Sequence, residues 1–254
     1  MFIEERYKYI LDLLEKSGKV LVKDLSKEFN VSESMIRKDL QALEKKNLLQ
    51  RTYGGAINIK HSLASCQVFS KRIVEDINLK EVVAQKAFKQ INENDTIFLD
   101  ASTISYMIAK LIVKSDVPMT LITNMFEISS LIPENSKTHF IFIGGDYNAF
   151  VGGSIGSYSI EQIKKYRCNK AFLGCSGIDL SDGSISTTLS EDSCTKKAII
   201  SISKKLFLVM LNEKFKTNAS FIFSNAVDFH SIITEALPDK SIINLLEEYY
   251  VTLI

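Results

Sequence analysis

The chain has 254 residues, with 31 Lys and Arg against 30 Asp and Glu, and 46% of its residues are apolar. That is enough for one large domain, or one of ordinary size with a small companion, and a core of that size needs neither disulfides nor metals. The four cysteines (Cys66, Cys168, Cys175, Cys194) form no CxxC and no zinc spacing, and the three histidines are scattered, so no metal and no cofactor is expected. The start MFIEERYKYI is too charged for a signal peptide, and no apolar run approaches a membrane span. A cytoplasmic protein with free thiols is the expectation. The net charge of +1 gives no sign of nucleic acid by itself. Its distribution does: residues 1–60 hold 12 basic and 9 acidic side chains, and the remainder 19 and 21.

In chain order, Tyr7, Ile10, Leu11 and Leu14 recur helically and predict an amphipathic helix over 4–16, ended by Ser17-Gly18. Leu21-Val22 reads as a short extended link, and residues 23–29 as a second helix with Leu25 and Phe29 on one face. Asn30-Val31 makes a turn, and Ser32 can cap a third helix with its hydroxyl. Within that helix Ile36, Leu40 and Leu43 must face inward. Glu33, Ser34, Arg37, Lys38 and Gln41 are left outward.

A hairpin over 48–59 follows, with Gly54-Gly55 near its tip and Arg51 and Tyr53 on it. Turn, basic-faced helix and basic hairpin in this order make a winged helix-turn-helix. Arg37 suits a guanine and Gln41 an adenine, with Ser32 and Ser34 at the start of the same face. Lys38 suits phosphate, and Arg51 and Tyr53 suit phosphate or the minor groove. A three-helix winged module can also serve protein contacts. The whole ordered pattern favours double-stranded DNA.

Residues 59–70 lack periodicity and read as a linker, and a helix is predicted over 78–91. Short apolar runs at 96–99, 119–123, 139–143, 170–174, 206–211 and 231–234 then alternate with helical segments at 103–114, 125–132, 155–166 and 190–203. That alternation predicts an α/β domain with a mainly parallel sheet. DAST at 100–103, Thr123-Asn124, Gly144-Gly145, GCSG at 174–177 and NEKF at 212–215 each follow a strand. In open parallel sheets ligands bind beyond those strand ends. Small hydroxyls, glycines and helix N-termini there suit an anion such as phosphate. Asp100, Glu191 and Lys214 add groups for sugar hydroxyls and charge. No GxGxxG or Walker motif is present, so a dinucleotide or P-loop site is unsupported.

The run VSESMIRKDLQALEKKNLLQRTYGGA at 31–56 resembles the N-terminal signature of the DeoR family of bacterial sugar-metabolism regulators. Val31, Ser32, Ile36, Arg37, Lys38, Asp39, Leu40, Leu43, Glu44, Arg51, Gly54, Gly55 and Ala56 match, whereas Met35 and Tyr53 replace the usual Thr and His. The resemblance continues through Phe69, Arg72, Lys80, Asp100, Thr103, Thr123-Asn124, Gly144-Gly145, Gly152, Gly174, Gly177-Ile178-Asp179, Glu191 and Lys214-Phe215. It departs at Ser102, Ile104 and Asn212, where the family usually has Gly, Thr and Asp.

The resemblance implies a C-terminal domain similar to ribose-5-phosphate isomerase. It implies an effector site for a phosphorylated sugar drawn from Asp100, Ser102, Thr103, Thr123, Asn124, Gly144, Gly145, Gly152, Gly177, Glu191 and Lys214. The expected organisation is a DNA-binding domain at 1–58, a linker at 59–76, and an effector and oligomerisation domain at 77–254. The expected function is a repressor of a sugar operon, not an enzyme, working as a homodimer or homotetramer. Two other readings remain at this stage: a sugar-phosphate isomerase with an appended DNA-binding head, and a large domain that is only an oligomerisation platform.

Overall fold

The computed structural model describes residues 3–17, 19–46, 48–52, 54–58 and 68–254. The chain divides into two compact units, the first ending at Gln67 and the second running from Val68 to Ile254. Residues 59–67 of the expected linker, and Tyr53 on the hairpin, lie outside the described residues.

The first unit contains α1 (Ile3–Ser17), β1 (Lys19–Leu21), α2 (Val22–Glu28), α3 (Glu33–Lys45), β2 (Leu49–Thr52) and β3 (Gly55–Asn58). Its core is the apolar set the helical spacing requires: Ile10 and Leu14 of α1, Leu25 of α2, and Ile36, Leu40 and Leu43 of α3. The link expected at Leu21-Val22 is resolved into a strand and a helix start. β1 pairs antiparallel with β3, and α2 begins at Val22. β3 pairs antiparallel with β2, so the order is β1-β3-β2. Position 55 must be glycine for this sheet to close. A Cβ there would lie 2.0 Å from the Val20 carbonyl oxygen.

The second unit opens with α4 (Phe69–Arg72) and α5 (Ile77–Phe88). There follow β4 (Thr96–Leu99), α6 (Thr103–Ser115), β5 (Met119–Thr123), α7 (Phe126–Ser129) and β6 (Thr138–Phe142). A hairpin of β7 (Asp146–Asn148) and β8 (Gly153–Ile155) comes next, then α8 (Ser157–Ile163) and β9 (Cys168–Leu173). β10 (Gly177–Ile178), β11 (Ser184–Thr187), α9 (Ser190–Ser201) and β12 (Ser203–Val209) lead to β13 (Phe221–Asn225) and β14 (Ser231–Ile233). The chain ends in α10 (Lys240–Glu247) and β15 (Thr252–Leu253).

Seven of these strands form one sheet in the order β15-β14-β12-β9-β4-β5-β6, every neighbouring pair parallel. Its central strands are buried on both faces, which is why they read as unbroken apolar runs. Alternate residues feed two cores. Ile97, Leu99, Phe172 and Phe207 pack with Val83 of α5 and Ile108 of α6. Phe98, Ala171, Leu173 and Leu208 pack with Ile163 of α8 and Ile199 of α9. Helices therefore cover both faces.

Strand order fixes where a ligand can go. From β4 the chain winds through β5 to β6 on one side. From β9 it winds through β12 and β14 to β15 on the other. The order reverses between β4 and β9, and beyond the carboxyl ends of those two strands lies the crevice that such a reversal opens.

The hairpin β7–β8 and the small antiparallel sheet β10-β11-β13 were not anticipated from the sequence, nor were α10 and β15. These are elements of two to eight residues, too short for a hydropathy period to register. Within the main sheet, Phe207 is 2% exposed and stacks on Phe172 with ring centroids 5.0 Å apart. Phe207→Ala is expected to cost about 3–5 kcal/mol, measured as a lowered urea midpoint followed by far-UV circular dichroism.

Candidate functional site

The helix expected to read DNA in the first unit is α3. Ser32 is its N-cap, extended at ψ 148°, with its hydroxyl accepting from the Met35 amide at 3.3 Å. Burial of Ile36, Leu40 and Leu43 to 1% exposure or less leaves Ser34, Arg37, Lys38 and Gln41 exposed together along the opposite face. Arg37 reaches back one turn to Glu33, with its Nη2 2.6 Å from Oε2.

The rotation of the helix is locked from behind. Asp39, buried at 3% exposure, accepts from Nε of Arg6 at 2.8 Å and from Nη2 at 3.2 Å, a two-pronged bond between α3 and α1. The bonded Asp39 carboxylate raises the Arg6 pKa against the effect of burial. On the hairpin, Arg51 is exposed, and its amide donates to Glu44 Oε1 at 2.9 Å. Hence six of the seven expected DNA-contacting residues are placed on exposed surface of this unit, and Tyr53 is outside the described residues.

In the second unit the switch point is organised by Asp100, 1% exposed at the end of β4. Its Oδ2 accepts from the Gly174 amide at 2.8 Å, joining the ends of β4 and β9. Its Oδ1 accepts from the Ser105 hydroxyl at 2.8 Å, fixing the first turn of α6. The Lys196 ammonium of α9 also donates to Oδ2, and lies 4.0 Å from Asp192 one turn earlier on the same helix. Asp192 accepts from the Thr187 hydroxyl at 2.5 Å. Burial would push the Lys196 ammonium down, but Asp100 and Asp192 together hold it above its ordinary value. Burial raises Asp192.

Ser102, which departs from the family pattern, fits here without strain. Its φ is −129°, and it caps α6 by accepting from the Ser105 amide at 3.2 Å. The neighbouring strand end accommodates it, since a Cβ on Gly174 would come within 2.7 Å of the Ser102 Cβ. Thr103 and Ile104 open α6, and the first amides of a helix have no intrahelical partners.

The other expected ligand residues gather unevenly. The Thr123 hydroxyl donates to the Leu99 carbonyl at 2.7 Å and accepts from the Met125 amide at 3.0 Å. The Asn124 amide group donates to the Ser154 carbonyl at 2.8 Å, and its buried Oδ1 has no partner among the described residues. Gly144 accepts from the Ser159 hydroxyl at 3.0 Å, with Gly145 beside it. Gly152, at φ +85°, would set a Cβ 2.7 Å from the Phe69 ring, so the β7–β8 turn lies directly on α4. Arg72 of α4 adds to that contact by donating to the Phe150 and Val151 carbonyls at 2.9 and 3.0 Å. Gly177 lies against the Thr217 carbonyl.

Lys214 is half-buried in an ion pair with Glu213 at 2.8 Å. Glu191 is exposed at the start of α9, where its carboxylate accepts from the Ser190 hydroxyl. Asp100 is therefore spent on holding the loops.

Lys196 and Asp192 are the residues that hydropathy does not find. They sit on the buried face of α9 with Thr195 and Ile199, and polar residues there hide the helical period. The one signal was Asp192 four residues before Lys196, the spacing of an intrahelical ion pair. Cys175, which follows Gly174, is pushed up to about 12 by burial and is a neutral thiol.

Two family models match the chain. One, described as a DeoR-like helix-turn-helix domain, covers residues 6–62, and the other, a DeoR C terminal sensor domain, covers 75–236. The chain is 29% identical to the glycerol-3-phosphate regulon repressor of Escherichia coli, over 98% of this chain and 97% of that protein. It is 32% identical to the L-fucose operon activator of Haemophilus influenzae, over 92% of this chain and 93% of that one. Among solved structures, ribose 5-phosphate isomerase A of Methanocaldococcus jannaschii is 14% identical. It has a TM-score of 0.37, over 54% of this chain and 52% of that one, a likeness too distant to bear on function.

Removing the ammonium at the switch point strands two buried carboxylates. Lys196→Met is expected to cost about 3–5 kcal/mol, read as a lower urea midpoint. Lys197→Met, exposed one position along α9, is expected to stay within about 0.5 kcal/mol of the parent.

Proposed function

The chain belongs to the DeoR family of transcriptional regulators, and on that footing we propose that it represses a sugar-metabolism operon under the control of a phosphorylated sugar. The single observation that carries the reading is the pairing of two residue sets on one chain. One is the polar face of α3, turned outward by its buried apolar face and by Asp39 on Arg6. The other is the ring of strand ends at the β4–β9 reversal. Two of the similar proteins named above are a regulon repressor and an operon activator for glycerol 3-phosphate and fucose, which supports regulation of small carbohydrates.

In this reading Arg37 and Gln41 read base edges in the major groove of an operator, with Ser32, Ser34, Lys38, Arg51 and Tyr53 on or near the backbone. The phosphate of the effector sits at the start of α6, on the Thr103 and Ile104 amides and the Ser102 hydroxyl, with Lys214 supplying positive charge. Thr123, Asn124, Gly144, Gly145, Gly152, Gly177 and Glu191 shape the remainder, and Asp100 acts by holding the loops rather than by touching the sugar. The protein works in the cytoplasm as a homodimer or homotetramer, because one winged module rarely supplies enough affinity and paired half-sites are the usual target. The domain division in this reading is 1–58, 59–76 and 77–254, with residues 68–76 of the linker belonging to the second compact unit.

Two measurements test the two ends. Electrophoretic shift on the DNA upstream of its own operon is expected to lose about 1–3 kcal/mol of affinity with Arg37→Ala. With Lys38→Ala the salt dependence is expected to fall by about one phosphate contact. No shift with the parent protein on that DNA would remove the operon assignment. For the sensor, thermal unfolding is followed across a panel of sugar phosphates. The true effector at 100 times its dissociation constant adds about 2.7 kcal/mol of stability. Indifference to every phosphorylated sugar would overturn the effector reading.

A further inference from the structure

We propose that Glu33 is a base-reading residue: together with Arg37 it selects a cytosine next to the guanine that Arg37 takes. The inference rests on the reading of α3 as the DNA-recognition helix. Glu33 is the first residue of α3, and its side chain is 44% exposed on the same face as Arg37, which is 58% exposed. Their ion pair closes one helical turn, with Arg37 Nη2 at 2.6 Å from Glu33 Oε2.

A carboxylate at this position has one plain role, to offset the partial positive charge at the helix start. Any carboxylate in the first turn would do that. On a face that meets a polyanion it also carries a cost, because it repels phosphate. The pair with Arg37 removes most of that cost, since the two side chains together carry no net charge.

What the pair leaves unused is more informative. Glu33 spends Oε2 on Arg37, and Oε1 has no hydrogen bond among the described residues. Arg37 spends one Nη2 donor of the five N–H groups a guanidinium carries. Side by side, one turn apart, stand a free acceptor and a fork of donors. The major-groove edge of guanine offers two acceptors, N7 and O6, and that of cytosine offers a single donor, the N4 amino group. The two side chains match that set at adjoining steps, the fork on the guanine and the carboxylate on the cytosine beside it. An exposed i, i+4 pair biases its own geometry by only about twofold, so both side chains are free to adjust on the duplex. A carboxylate accepts from cytosine and from adenine N6, but adenine would put its N7 acceptor against the same anion.

The test is selection from a random double-stranded DNA library by the full-length protein and by Glu33→Ala, Glu33→Gln and Arg37→Ala. All of these change exposed side chains and leave the core of the unit intact. The parent is expected to enrich a motif with cytosine within one step of a guanine. Arg37→Ala loses the guanine. Glu33→Ala loses about five- to tenfold of the cytosine preference, and holds unrelated duplex more tightly at low salt. Glu33→Gln moves that position towards adenine, the base an amide matches.

A motif unchanged by Glu33→Ala, or one weakened only at the guanine, overturns the inference and leaves DNA reading by α3 intact. A parent protein that enriches no motif overturns both.

Discussion

Four elements of the sensor unit meet on one carboxylate. Asp100 ends β4, accepts from the first residue after β9, holds the first turn of α6 through Ser105, and takes the ammonium of α9. Its contacts straddle the point where the strand order reverses. A buried charge in that position is expensive unless it is fully paired. Asp100 is paired, and the price is that it has little capacity left for a ligand. The loops it holds can then present backbone amides and hydroxyls in fixed positions, which costs no reorganisation when an anion arrives.

The same division of labour appears in the reading unit. Asp39 and Arg6 are buried and bonded to each other, and they set the rotation of α3. Arg37, Lys38 and Gln41 are exposed on the side so created. In both units an acid inside the structure positions, and smaller or basic groups at the surface are left to bind. Coupling of the units requires that a ligand have different affinities for the DNA-competent and DNA-incompetent states, whatever path connects them.

Much of this was legible in the sequence, for physical reasons that differ by element. The apolar spacing of Ile36, Leu40 and Leu43 marked the inner face of α3, although Asp39 is buried on that face with them. Six of the seven main-sheet strands were legible as short apolar runs, as at Thr96–Leu99 and Met119–Thr123, and β15 was not. Lys196 and Asp192 were not legible, because a buried ion pair looks like a solvated helix face when only hydropathy is read. The role of Asp100 was read only in part. Its place at a strand end was evident, but three partners from β9, α6 and α9 are brought to it by topology alone. Ser102 stands where the family usually has Gly, and it serves as a helix cap, a matter of its φ and of the glycine facing it at 174. The first ten residues after the hairpin had no period to read, and Phe69 gains its meaning only from Gly152, which it covers.

Coupling between occupancy at the β4–β9 reversal and DNA affinity is measurable from either end through linkage. The direct measurement is calorimetric titration of the full-length protein with its stabilising sugar phosphate, alone and bound to operator duplex. Coupling requires the sugar-phosphate affinity to differ between the two titrations by about 5- to 150-fold, and the operator affinity to change by the same factor when the sugar phosphate is saturating. Equal sugar-phosphate affinities with and without DNA would contradict it, and would leave two independent binding units on one chain.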